Sequence, residues 1–158
     1  SLQDERYKNK VVIVQILGSW CPNCMDETAY MVNYYKKYHS KGVEVVGLAY
    51  ERSNDFAKSQ KALMQVKNRF NVPYELLITG YTSDKAETSK SLPMLSKVVG
   101  FPTTIIIDKS GDVRKIHTGF SGPGTGEYYK EFISEFEKLT DDLVNEREAP
   151  QPAKGGAF

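Results

Sequence analysis

The chain has 158 residues, 40% of them hydrophobic and 26% charged, with 21 Lys and Arg against 20 Asp and Glu and a formal net charge of +1. This is the composition of one globular domain with a sizeable core, and it offers no basic stripe for nucleic acid or an anionic membrane surface. No apolar run reaches the length of a membrane span, about 18 residues, and two cysteines alone cannot build a disulfide framework.

Residues 1–10 are polar and read as a lead-in to the fold. A chain that begins at Ser1 without Met reads as processed or trimmed, so the lack of a leader says nothing of the compartment. Val11–Leu17 is apolar along its length, as expected of a strand covered on both faces, except for Gln15, which needs a partner if buried. Met25–His39 has helical composition, with Cys21, Met25, Ala29, Val32 and Tyr35 expected on one face. Lys41-Gly42 closes that helix with a C-cap glycine. Val43–Tyr50 is a second strand, and strand, helix and strand make a right-handed parallel βαβ unit.

Ser53-Asn54-Asp55 starts a helix running to about Phe70, and Tyr74–Ile78 reads as a short strand. The polar stretch Thr82–Ser91 leads to a helix ending near Val99, with Pro93 in its first turn. Thr103–Asp108 is an isoleucine-rich buried strand, Asp108–Gly111 a turn, and Asp112–Thr118 an antiparallel edge strand. Gly119–Gly126 is a loop that lacks the Gly-Lys-Ser/Thr of a phosphate cradle. Glu127–Asn145 is amphipathic, with Tyr128, Phe132, Ile133, Phe136, Leu139 and Leu143 as its core face. One domain over residues 1–147 is expected, followed by a tail, 148–158, without fixed structure.

The chemistry sits in Trp20-Cys21-Pro22-Asn23-Cys24, between the first strand and the first helix. Free backbone N–H groups and the positive end of the helix dipole favour an anion there, so Cys21 is expected to be a nucleophilic thiolate. Cys24, one turn on, is placed to close a disulfide with it. A zinc site needs four ligands; only His39 and His117 could add to the cysteines, and both lie far along the chain. The two histidines are expected to be exposed or structurally satisfied, and Tyr30, Tyr34, Tyr35 and Tyr38 to pack along their helix.

The C-x-x-C at a strand-to-helix junction, Gly100-Phe101-Pro102-Thr103 before a later strand, and the Asp108–Thr118 hairpin together resemble the thioredoxin fold over about residues 8–147. The helix and strand inserted at about 54–78, between the second and third core strands, resemble the TlpA/ResA subgroup of extracytoplasmic thiol–disulfide oxidoreductases. Glu27, three residues after Cys24, carries the same resemblance. Two positions depart from cytosolic thioredoxins, which have Gly-Pro between the cysteines and a buried Asp where this chain has Gln15.

The resemblance implies an α/β thioredoxin-like fold, a central mixed sheet flanked by helices. It implies a monomeric oxidoreductase in the periplasm or cell envelope that needs no dissociable cofactor or metal, exchanging disulfides with protein substrates and fed by a membrane or periplasmic electron donor. Cys21 would attack, Cys24 resolve and Glu27 move protons. Trp20, Pro22, Phe101 and Pro102, with a cis bond before Pro102, would contact substrate. Glu27 itself is expected to be ionised. Two rival readings remain. A peroxiredoxin-like thiol peroxidase would need Thr or Ser three residues before Cys21, where Gly18 stands. A non-catalytic binding module would use the fold as a scaffold.

Overall fold

The computed structural model describes residues 4–82 and 100–146. A five-stranded sheet is ordered β3-β2-β1-β4-β5, with β1 Val11–Leu17, β2 Val43–Glu51, β3 Glu75–Tyr81, β4 Thr103–Ile107 and β5 Val113–Thr118. β1 is parallel to β2 and β2 to β3, while β4 runs antiparallel to both β1 and β5. The helices are α1 (Pro22–Tyr38), α2 (Phe56–Phe70) and α3 (Glu127–Asn145). The sheet is therefore mixed, and α2 and β3 are the insertion expected between the second strand and the isoleucine-rich strand.

β1 is central and buried throughout. Its side chains alternate between two apolar layers, as a period of two requires. Val11 and Ile13 join the α1 and α3 side, while Val12, Val14 and Ile16 join the opposite side with Tyr7 and Ile105. On the first side Tyr30 and Tyr34 of α1 meet Phe136 of α3 edge-to-face, with ring centroids 6.1 and 4.9 Å apart. Their hydroxyls reach Glu137 and Thr140 across the helix pair, at 2.9 and 2.8 Å.

Turn chemistry follows the residues. Gly42 takes the left-handed conformation, φ 97°, that ends the first crossover. Asp55 caps α2 by accepting from the N–H groups of Ala57 and Lys58. The Asp108 carboxylate accepts from the backbone of Ser110 and Asp112 and so shapes the β4–β5 turn.

Several expectations need correction. The lead-in is anchored, because Tyr7, in a short 3₁₀ turn, is buried on the sheet. The buried residues of α1 are Cys24, Glu27, Thr28, Tyr30, Met31, Val32, Tyr34 and Tyr38, so Val32 is buried as expected, whereas Ala29 is exposed and Tyr35 half-buried. The helix faces the sheet and α3 together, so its buried surface is wider than one apolar stripe. Tyr128 is 71% exposed, and its neighbour Tyr129 packs on Phe120 instead. β3 starts one residue later than expected and extends to Tyr81 by pairing with β2 as far as Glu51. Tyr74 is withdrawn into the core before it. The expected helix ending near Val99, with Pro93, and the tail from Glu148 lie outside the described residues.

Candidate active site

α1 begins at Pro22, a residue suited to a first helical position because its missing N–H would have no partner there. Cys21 is therefore the N-cap. Its Sγ accepts from the backbone N–H of Cys24 at 3.2 Å, the place a capping oxygen would hold. A thiolate at that point meets an N–H donor and the positive end of the helix dipole. Both cysteines are free thiols. Cys21 retains 6% of its surface and Cys24 none. Burial pushes the Cys24 thiol well above its ordinary range, with the hydrogen-bonded Cys21 adding to the effect. The exposed Pro22 and Asn23 stand between them at the surface.

Leu17, Ala49 and Leu63 pack on the two cysteines, with Trp20 and Phe101 at the edge of the cluster. The Trp20 indole N–H donates to the Tyr50 carbonyl at 2.9 Å, its ring meets Phe101 edge-on at 5.1 Å, and the Arg52 guanidinium lies 4.3 Å from its ring centroid. A Cβ on Gly18 would come within 2.2 Å of the indole, so a residue without a side chain is needed beneath Trp20. That is the position where a peroxidatic site would require Thr or Ser. The Phe101–Pro102 bond is cis. Pro102 is buried, and its carbonyl accepts from Gly119 N–H at 2.7 Å.

Behind the dithiol lies a buried polar layer whose extent the sequence hid. Gln15 of β1 is paired with Gly47 on one side and Thr104 on the other. Gln15, Glu27 and Thr28 have no exposed surface, and Thr104 has 1%. The Gln15 amide donates to Thr28 Oγ1 at 3.0 Å and accepts from the Tyr74 hydroxyl at 3.1 Å, while Thr28 donates to the Cys24 carbonyl at 2.8 Å. The partner Gln15 needs is thus supplied twice.

Glu27 is not the ionised residue expected from its place in the helix. α1 starts early enough to place it in the second turn, facing the sheet. Its Oε2 accepts from the Thr104 hydroxyl at 3.1 Å, and its Oε1 has no partner among the described residues. Burial pushes the carboxyl up to about 8, against the lowering pull of Thr104 and the Gln15 amide. Glu27 is therefore mainly protonated at pH 7. Asp26 is exposed and turned towards Gly122, away from the cysteines.

His39 bonds Glu44 at 2.7 Å, and His117 lies against Phe132 with ring centroids 5.2 Å apart. Among the described residues no group of three or more His, Cys, Asp or Glu side chains is arranged to hold a metal ion.

This geometry can be set beside known proteins. ResA, a thiol–disulfide oxidoreductase from Bacillus subtilis (strain 168), is 29% identical over 112 residues, covering 71% of this chain and 55% of the relative. ResA from Bacillus thuringiensis subsp. konkukian (strain 97-27) is 30% identical over 127 residues, covering 80% of this chain and 64% of the relative. The chain thus spans less than two thirds of the length of either. Among solved structures, a thiol-disulfide isomerase from Corynebacterium glutamicum matches with a TM-score of 0.68 at 19% identity, over 93% of this chain and 88% of that one. A thioredoxin-family thiol:disulfide interchange protein from Chlorobium tepidum TLS matches with a TM-score of 0.62 at 22% identity, over 87% and 82%. These two likenesses establish the thioredoxin-like fold. The Redoxin family model matches residues 1–131, and by that match the chain belongs to the Redoxin family.

Proposed function

We propose that this domain is a thiol–disulfide oxidoreductase that reduces protein disulfides through Cys21 and Cys24. The observation that carries the reading is the asymmetry of the pair. Cys21 caps α1 and keeps a window to solvent, whereas Cys24 is sealed from it and feels the charge of the buried Glu27 carboxyl one turn on. The ResA relatives, named for this activity, support it.

The cycle follows from the positions. Cys21 thiolate attacks one sulfur of a substrate disulfide; a mixed disulfide forms and the other substrate sulfur leaves as thiolate. Cys24 S–H gives its proton to the Glu27 carboxylate, and the Cys24 thiolate attacks Cys21 Sγ. The substrate is released as a dithiol, and the domain has lost two electrons and holds a Cys21–Cys24 disulfide. When a donor dithiol reopens that disulfide, Cys24 leaves as thiolate and Glu27 returns the proton. A carboxyl with its midpoint near 8 holds useful amounts of both forms at neutral pH, so it serves in both directions. Trp20, Pro22 and Phe101 are the surface against which substrate would lie, with the buried Pro102 next to Phe101 in the chain.

The resemblance to the TlpA/ResA subgroup supports a place in the cell envelope and a membrane or periplasmic dithiol donor. Among the described residues no helix is long and apolar enough to cross a membrane. The test is insulin reduction with dithiothreitol as donor: the domain should accelerate it, and Cys21→Ser should abolish the acceleration. No acceleration by the unmodified domain refutes the reading. A reduction potential near that of thioredoxin, about −270 mV, would mark a reductant, and one near −120 mV an oxidant.

A further inference from the structure

Glu27 is closed off from solvent, so a proton it takes from Cys24 must leave either back past the dithiol or through the protein. The inference drawn here rests on the acid–base role proposed above for Glu27.

The antiparallel register of β4 and β5 sets Thr104 opposite His117 and Ile106 opposite Lys115. Beneath α3 these residues line a cavity of about 40 Å³, together with Phe132, Glu135 and Phe136. Thr104 thus touches two things: its hydroxyl donates to Glu27 Oε2 at 3.1 Å, and it forms part of the cavity wall. The volume exceeds the roughly 10–15 Å³ that one water needs, and the wall offers several polar partners for it. His117 stands on the far side, partly exposed, with its ring held at 5.2 Å from that of Phe132.

We propose that Glu27 exchanges its proton with solvent through the Thr104 hydroxyl and His117, across the cavity under α3, and not through the mouth of the dithiol. In the outward step the Glu27 proton passes to Thr104 Oγ1. Thr104's own hydroxyl proton passes through a cavity water to the unprotonated ring nitrogen of His117, and His117 releases a proton to solvent from its other nitrogen. Glu27 is left as carboxylate, and no electrons move. A hydroxyl can do this because it donates and accepts and its hydrogen rotates freely. Burial, with Lys115, holds His117 below its ordinary range against the opposing pull of Glu135, so near neutral pH its ring has a nitrogen free to accept. The titratable groups around the route are Cys21 and Cys24 of α1, Tyr74 before β3, Lys115 of β5 and Glu135 of α3.

The test reads proton exchange at Glu27 directly. Reduced protein is labelled with ¹³C in its glutamate carboxyls, and the Glu27 resonance is identified by its loss in Glu27→Gln. Its exchange rate is measured from the linewidth near its midpoint at several buffer concentrations. His117→Gln, at a partly exposed site, should slow exchange about tenfold without moving the midpoint, and added imidazole should restore the rate. Thr104→Val should slow exchange as much and move the midpoint upward, since a donor to the carboxylate is lost. Wild-type rates in both variants overturn the route, and slowing in Thr104→Val alone overturns its His117 end. If the wild-type Glu27 resonance titrates in the ordinary carboxylate range, the acid–base reading of Glu27 fails, a result distinct from either.

Discussion

Replacing Glu27 by Gln should change how stability depends on pH, and the size of the change follows from its burial. The ordinary glutamate value is 4.5, and in the fold the carboxyl is pushed up to about 8. The folded state therefore holds this proton more tightly than the unfolded chain. The associated stabilisation is complete below 4.5 and is lost as pH rises towards 8. Each unit of separation is worth about 1.4 kcal/mol, so between pH 5 and pH 8 the wild type should lose about 3–4 kcal/mol from this group. Glutamine at the same place has no charge to bury and should lose none. Cys24 also has a raised value, but its contribution starts to be lost only as pH passes the ordinary thiol range, about 8.5. Urea unfolding of the two reduced proteins at pH 5 and pH 8 isolates the term, because other ionisable groups cancel in the difference. With about 1–3 kcal/mol per M of urea, the midpoints should diverge by at least about 1 M over that interval. The same substitution should slow resolution of a mixed disulfide and remove the rate inflection near pH 8. Stability curves that stay parallel to within about 0.5 kcal/mol would refute the buried, protonated Glu27.

Cys24→Ser should accumulate mixed disulfides with substrate on non-reducing gels and Cys21→Ser should not, and alkylation of the reduced protein should modify Cys21 first; first modification of Cys24 would reverse the assignment. Gly18→Ala should push the Trp20 ring away from the Tyr50 carbonyl, changing the emission of the single tryptophan and costing about 1 kcal/mol, whereas an unchanged spectrum would mean that the loop absorbs the methyl group. Tyr74→Phe should leave the buried Gln15 Oε1 without its donor and cost about 1–3 kcal/mol in chemical unfolding with the helical circular dichroism retained; a neutral result would mean that Gln15 finds another donor.

What the sequence made legible was local. The C-x-x-C on a strand-to-helix junction, the capping Asp55, the Asp108–Gly111 turn and the span of α3 all rest on contacts within a few residues, and each stands where its neighbours placed it. The errors have one physical origin. α1 and α3 each face two neighbours, so a single apolar stripe misjudged which residues are buried, and Thr140 replaces Tyr128 on the core side of α3. Tyr74, expected to open the strand, lies before it in the core, its hydroxyl bonded to an amide 59 positions away in the chain.

The same distinction separates the cysteines from Glu27. Helical spacing is enough to put Glu27 one turn beyond Cys24, and enough to send Asp26 the other way. Its protonation state depends on the sheet beneath it, which spacing along one helix does not contain. Cytosolic thioredoxins bring a buried acid to this layer from the strand; here the strand brings Gln15 and the helix brings the acid. The amide cannot titrate, and it is tied by Tyr74 and Thr28. The carboxyl of this layer is that of Glu27, whose hydrogen-bond donor is Thr104, 77 positions on. A buried carboxyl with one donor on Oε2 and, among the described residues, none on Oε1 favours its neutral form. That preference puts the Glu27 midpoint near 8, the range that the acid–base role proposed for it requires, and it comes from the sheet beneath the helix and not from the helix itself.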